Sequence, residues 1–376
     1  MLNLEHYNSY LEVDLGKIRR NVERIQRHIG PEHGMIPVVK GNAYGLGTVE
    51  VAQLMHEMGM PLLANAHVAE SIQIRKAGIP VDLMILGALP PHAVPYAAQY
   101  GLQMTVFNRE GVEQFSRACR DAGHCGRVHI KIETGLGRIG VKPGDDLEQL
   151  LDCIAQAGNL EVVGVFTHYA TAGERESPYA KAQFALFQKG LQQVQARGIR
   201  PLYIHTANTG AAIWFRESYC THVRCGSLYL GYSNIKNHEN PLGVEEPATW
   251  RAFITNLKEL EPGESVGYNR HFIAKEKTTV ATVDVGYSAG LNRNLAMTGG
   301  PVLVHGQQTR YLGICMDQCF VDVTGIPCQL YDEVTLLGWD EGRLLSLFQL
   351  AGHVQQNVHS LLASIDPNIV LRVYRS

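Results

Sequence analysis

Pro37–Gly47 reads PVVKGNAYGLG. Apolar residues run up to Lys40, and the chain then turns through Gly41, Asn42, Gly45 and Gly47. A buried strand that ends on a cation and enters a glycine-rich turn asks what fold would put a charge there. Just upstream, MIPVV is short and rich in β-branched residues, so it reads as a strand. Before it, Leu15, Ile18, Val22, Ile25 and Ile29 recur at steps of three and four. That spacing is one face of a helix, with Asp14 as its N-cap and Gly30-Pro31 as its stop.

Working downstream, the alternation repeats. VAQLMHEMG is helical and MPLLANA a strand; AESIQIRKAG is helical and VDLMILG a strand. PHAVPYAAQYG precedes LQMTVF, EGVEQFSRACRDAG precedes RVHIKIE, and DLEQLLDCIAQAG precedes EVVGVFTHY. AKAQFALFQKGLQQVQARG precedes PLYIHT, and the short AAIWFRE leads to THVRC. Near-continuous apolar strands separated by helices pair in parallel, covered on both faces. The rhythm predicts an α/β protein with a (β/α)8 TIM barrel over residues 12–240. An open doubly wound sheet is the rival, though no GxGxxG turn follows the first strand.

The texture changes after NIKNHENPLG. From Trp250 the segments are short, β-rich and broken by Gly and Pro, which predicts a mostly β C-terminal domain over 241–376. RLLSLFQLAGHVQQNVHSLLASI reads as a final helical stretch. Residues 1–11 are expected to pack with this second domain, since YLEVDL lies outside the barrel count.

Composition narrows the function. Hydrophobic residues make up 45% of the chain and charged ones 18%, with a net charge of -3. That balance leaves no polybasic footprint for nucleic acid. No apolar run is long enough to span a membrane. The start, MLNLEHYNSYLEVDLG, lacks the basic and apolar regions of a signal peptide, so a cytoplasmic protein with reduced cysteines is expected. Cys315 and Cys319 in ICMDQC have no His/Cys cluster beside them and read as core residues, so no metal is expected.

In barrel enzymes the chemistry sits where strands end. Those ends carry Lys40, Arg138, His168, His205 with Asn208, and Arg224. Strand ends tolerate polar groups in any barrel, and His168 and His205 can be read as structural. A set this cationic suits an anionic small molecule. A lysine crowded by cations loses its proton more easily and can join an aldehyde. Pyridoxal phosphate is an aldehyde that also carries a phosphate. Backbone N–H groups in ANTG and CGS could bind that phosphate where loops enter helices.

VVKGNAYGLG resembles the cofactor-lysine block of the alanine racemase family. KIETGLGRIG, FTHYATA, HTANTG, VRCGSLYLGY, VDVGYSAG and GICMDQCFVDVT resemble further blocks of that family, in order, across essentially the whole chain. The resemblance implies a pyridoxal-phosphate-dependent isomerase that interconverts L- and D-alanine with two bases, supplying D-alanine for cell-wall peptide. Lys40 would hold the cofactor and act as one base, and Tyr287 would be the other. Racemisation needs a base on each face of a planar carbanion. The family's tyrosine comes from the partner subunit of a homodimer and lies against a histidine matched by His168. Met316 would come with it and, with Arg138, contact the substrate carboxylate. Arg224 matches the residue at the pyridine nitrogen, and His205 the residue that orients it. Tyr44, Asn208, Thr209, Gly226 and Ser227 match the phosphate-binding set. Lys131 matches a position carbamylated in many members.

The pattern breaks in two places. His359 in VHSLLASIDPNIVLR stands where the family has a phosphate-binding tyrosine beside the substrate side chain. Ala289 replaces an acid and Asn292 a proline in the block around Tyr287. These changes keep a serine or broad-specificity racemase open. A barrel-type amino-acid decarboxylase would want an acid where Arg224 stands, and a non-catalytic pyridoxal-phosphate-binding protein would lack the second domain.

Overall fold

The computed structural model describes residues 4, 6–233, 235 and 239–376. Strand β1 (Ser9–Asp14) is followed by helix α1 (Leu15–Ile29). Asp14 Oδ1 accepts the Lys17 N–H at 2.8 Å, so the helix begins on its cap. Ile18, Val22, Ile25 and Ile29 are fully buried along one stripe.

Eight strands follow among the described residues: β2 (Gly34–Pro37), β3 (Leu62–Asn65), β4 (Asp82–Ile85), β5 (Gln103–Val106), β6 (Gly126–Lys131), β7 (Leu160–Phe166), β8 (Tyr203–His205) and β9 (His222–Cys225). β3 to β8 pair in parallel in chain order, and β2 pairs in parallel with β9. The two remaining gaps are bridged. Val39 N–H donates to Ala64 O between β2 and β3. Thr221 N–H donates to Ile204 O, and Arg224 N–H to Ala207 O, between β8 and β9. The ring is therefore closed, which removes the open sheet as an alternative. β3 and β5 are buried at every position, as strands covered on both faces must be. Ile36, Leu62, Ala64, Met84, Phe166 and Tyr203 form a cluster drawn from five strands.

EVVGVFTHY reads as one strand, but β7 stops at Phe166. The carbonyls of Thr167 and Thr206 leave the ladder because Arg224 takes both.

The chain forms two compact units. One holds Arg19–Ala43 and Thr48–Val244; the other holds the described residues among Met1–Ile18, with Tyr44–Gly47 and Glu245–Ser376. The second unit is built on a nine-stranded sheet among the described residues. Its long strand β10 (Ala248–Leu260) pairs antiparallel with β1, Leu11 facing Trp250. β1 runs across residue 12, the expected start of the barrel segment. Leu371–Arg375 joins on the far side of β1, in parallel.

The final helical stretch is not one helix. Arg343–Leu345 is a strand, Leu347–Val354 a helix capped by Ser346, and Val358–Ala363 a second helix capped by Asn357. Gln355 between them has φ 53°, a left-handed residue that ends the first helix. No described helix is long and apolar enough to cross a membrane.

Candidate active site

Lys40 follows β2 directly. After it Gly41, Asn42, Ala43 and Tyr44 all hold left-handed dihedrals, with φ between 49° and 66°. Glycine and asparagine tolerate that region; Ala43 and Tyr44 each pay about 1–2 kcal/mol for it. Two bonds pin the turn. Asn42 N–H donates to the Glu70 carboxylate at 2.6 Å, and Asn42 Oδ1 accepts from Thr48 N–H at 3.0 Å. Burial pushes the Lys40 ammonium below its ordinary range, and the charges of Arg138 and Arg224 push it the same way. Glu70 opposes them.

Arg224 lies at the end of β9 and is 3% exposed. Its Nη1 donates to His205 Nδ1 at 2.9 Å and to His205 O at 2.5 Å. Its Nη2 donates to Thr167 O at 2.7 Å, Thr206 O at 3.1 Å and His168 Nδ1 at 3.2 Å. The terminal N–H groups are thus held by acceptors, while Nε–H has none among the described residues. A guanidinium only donates, so the two histidine nitrogens it meets must be bare. Burial, with Arg224 next, keeps both His168 and His205 well below the usual histidine range. Phe166 stacks on His205, ring centroids 4.8 Å apart, and backs the Arg224 guanidinium at 5.4 Å.

Lys131 ends β6 with 3% exposure, its Nζ 5.3 Å from the Phe166 ring. Burial, then Arg138 and Arg224, lowers its ammonium to about 7. The loop after it folds around the Glu133 carboxylate, which accepts from Gly135 N–H at 2.5 Å and Gly137 N–H at 3.2 Å. That loop carries Arg138, exposed and without a hydrogen-bond partner among the described residues.

Asn208 caps the helix Thr209–Trp214, its Oδ1 accepting from Ala211 N–H at 3.2 Å and its Nδ2 donating to Tyr169 O at 3.3 Å. Its side chain is therefore engaged, and what it offers a ligand is backbone. Thr209 Oγ1 accepts from Ser227 Oγ at 3.3 Å, which sets the ANTG turn beside Gly226 and Ser227.

The second unit carries the other expected residues. The Tyr44 and His359 rings meet edge to face, centroids 5.2 Å apart. Tyr287 N–H donates to Cys315 O at 3.0 Å, and Ser288 Oγ to Met316 O at 2.7 Å, so Tyr287 and Met316 are fixed side by side. Both are exposed, at 39% and 57%. The Arg293 guanidinium covers the Tyr287 ring at 5.4 Å. Asn292 Nδ2 donates to Gln356 Oε1 at 3.1 Å, and Ala289 O accepts from Asp366 N–H at 3.2 Å. The altered loop thus has its own anchors.

Sequence reasoning missed Glu70, which holds the turn after Lys40 from a helix thirty residues on. The signal was there in AESIQIRKAG, where an acid stands in the first turn of a helix that follows a barrel strand.

Residues 13–234 match the family model described as alanine racemase, N-terminal domain, and residues 248–374 the one described as alanine racemase, C-terminal domain. The chain is 32% identical over 365 residues to an alanine racemase of Desulforamulus reducens, covering 96% of this chain and 98% of that one. Among solved structures it superposes on an alanine racemase of Clostridium difficile 630 with a TM-score of 0.93 at 27% identity, covering 99% and 96% of the two chains. A histidine racemase of Leuconostoc mesenteroides superposes with a TM-score of 0.90 at 25% identity, covering 99% of each.

Proposed function

The chain belongs to the alanine racemase family, and on that premise we propose that it interconverts L- and D-alanine with pyridoxal phosphate bound at the Lys40 end of the barrel. The observation that carries the reading is Arg224, whose terminal N–H groups are all engaged while Nε–H is left to a ligand acceptor. A ring nitrogen is such an acceptor, and a guanidinium cannot hand it a proton at neutral pH. The donor set fits the rest of the cofactor. A lysine with a depressed ammonium suits an aldehyde, and the backbone N–H groups of 208–210 with Ser227 suit a phosphate.

When bound, pyridoxal phosphate supplies a conjugated ring that spreads the charge left as the α-proton departs. The protein supplies the rest. Lys40 Nζ, its ammonium destabilised by burial and the neighbouring arginines, takes or returns the proton on one face of Cα. Tyr287 of a second copy of the chain serves the other face, with Met316 beside it. Its exposure within one chain, next to the rigid 286–288 turn, supports that exchange. Arg138 holds the substrate carboxylate. Residues 12–240 thus bind cofactor and substrate, while 241–376, with 1–11, deliver the second base.

Lys131 we assign as a carbamate. Carbon dioxide adds only to a neutral amine, forming an N–C bond and releasing the amine proton. An ammonium lowered to about 7 leaves much of Lys131 neutral at physiological pH. The resulting negative charge would sit among Lys40, Arg138 and Arg224, offsetting their repulsion.

His359 beside Tyr44 supports testing serine as a second substrate. Purified protein with pyridoxal phosphate is given L-alanine or L-serine in heavy water, and α-deuterium and D-enantiomer are read by chiral chromatography. Exchange with D-alanine as the faster product is expected. D-serine as the faster product would replace alanine with serine, and no exchange with either would overturn the reading.

A further inference from the structure

Inside the barrel a chain of polar side chains leads away from Arg224. His205 Nε2 lies 3.1 Å from His129 Nδ1, and His129 Nε2 lies 2.7 Å from Gln103 Oε1. Gln103 Nε2 donates to Asp82 Oδ2 at 3.0 Å. Asp82 is gripped by Arg127 through two bonds, at 2.5 and 2.8 Å. His205, His129 and Gln103 are fully buried. Arg224 and His205 sit at strand C-terminal ends, and Asp82, Gln103 and Arg127 at strand starts, so the chain crosses the barrel from one rim to the other.

Each end fixes the direction of every bond. Arg224 only donates, so His205 Nδ1 is bare and its proton is on Nε2. That proton goes to His129 Nδ1, which puts the His129 proton on Nε2, facing Gln103. From the opposite end, both Asp82 oxygens accept from Arg127, and Oδ2 accepts from Gln103 as well. Gln103 must therefore give it an N–H and turn its oxygen to His129. The two ends agree. Both histidines are neutral Nε2–H tautomers, as burial also favours; His129 is pushed down to about 3.

We infer that Gln103 and His129 are positioning residues, which lock His205 in the one tautomer that can accept from Arg224. Gly164 is part of the device. It pairs with His129 across β6 and β7, and a Cβ there would lie 1.9 Å from His129 Nδ1. Tyr203 stacks on the His129 ring, centroids 5.7 Å apart. The tautomer stands on the protein's own geometry; only its effect on the cofactor ring rests on Arg224 meeting that ring.

The test is nitrogen NMR of the holoenzyme labelled with ¹⁵N-histidine, the two signals assigned by His129→Asn and His205→Gln. Wild type shows His129 and His205 as neutral Nε2–H tautomers. Gln103→Lys places a donor-only group against His129, which forces His129 to Nδ1–H and removes the His205 Nε2–H state. The cofactor absorption band shifts in that variant. Gln103→Glu restores the wild-type pattern, since a protonated acid donates to Asp82 and accepts from His129. Gln103→Met, similar in bulk, removes the acceptor that holds the His129 proton on Nε2, so the His205 Nε2–H signal weakens, but less than in Gln103→Lys because Arg224 still donates. If Gln103→Lys does not fold, Gly164→Ala serves in its place, since displacing His129 must disturb the His205 signal. An Nδ1–H on His205 in wild type overturns the inference. So does a His205 spectrum indifferent to Gln103→Lys or Gly164→Ala, or one altered equally by Gln103→Met.

Discussion

Arg224 Nη1 stands 2.9 Å from His205 Nδ1, a pair in which one partner can only give and the other must receive. Three backbone carbonyls complete the grip, those of His205, Thr206 and Thr167. Lysine cannot span these acceptors. Arg224→Lys should leave at least one buried carbonyl unpaired, at a cost of about 1–3 kcal/mol. Thermal unfolding would show the loss, and the cofactor absorption band would move with it. An unchanged midpoint and band would mean the grip is incidental.

Lys40→Ala should abolish the visible cofactor band and racemisation together, since the same nitrogen serves both. Tyr287→Phe should keep the band and lose racemisation. Mixed, dissociated and reassociated, the two variants should form hybrids of the proposed dimer in which one site has both wild-type groups. Random pairing makes half the dimers hybrid, so activity returns to about a quarter of wild type. Complete silence from the mixture would place Tyr287 and Lys40 in the same chain's site.

Glu70 and Lys40 offer a pH experiment. The Glu70 charge raises the Lys40 ammonium against burial and the neighbouring arginines. Glu70→Gln keeps an acceptor for the Asn42 N–H but removes the charge. The midpoint for cofactor uptake by the apoprotein, which needs neutral Lys40, should move to lower pH. A move upward would contradict the assignment.

Lys131 should take up carbon dioxide increasingly as pH rises through about 7, where its amine becomes neutral. Protein equilibrated with ¹³C-bicarbonate should show a carbamate carbon signal that Lys131→Ala lacks. A plain amine at pH 8 in an intact mass measurement would remove the carbamate.

Glu246 gives a stability prediction far from the chemistry. Burial lifts its carboxyl to about 7, only partly offset by the Leu347 N–H at 3.1 Å and by Lys17. The folded state therefore binds a proton more tightly than the unfolded chain. Its stability is fully present at low pH and falls as pH rises from about 4.5 to 7. Glu246→Gln should match wild type near pH 4 and exceed it by roughly 3 kcal/mol at pH 8. A gap that does not change with pH would rule this out.

The barrel was legible because its strands are short apolar runs, and because Lys40, His205 and Arg224 stand where those runs stop. Seven family blocks then gave the site residues their expected roles. What stayed hidden was polar chemistry inside the strands. Gln103 and His129 are single polar letters in LQMTVF and RVHIKI, and only the closed ring brings them together. Ala43 and Tyr44 gave no sign of left-handed backbone, because residue type disfavours it and the bond that pins the turn at Asn42 comes from Glu70, distant in sequence. The break at Gln355 was hidden for the same reason: the apolar spacing on both sides of it continues as if one helix ran through.

The row of donors from Arg224 to Asp82 makes the barrel interior a wire with polarity rather than an inert filling. Its middle members, His129, His205 and Gln103, are fully buried, which shields their protons from water. The imidazole protons of His129 and His205 should therefore outlast the amide protons of the surface helices in deuterium oxide. On the inferred tautomers, the setting of those protons belongs to the folded barrel rather than to whatever it binds.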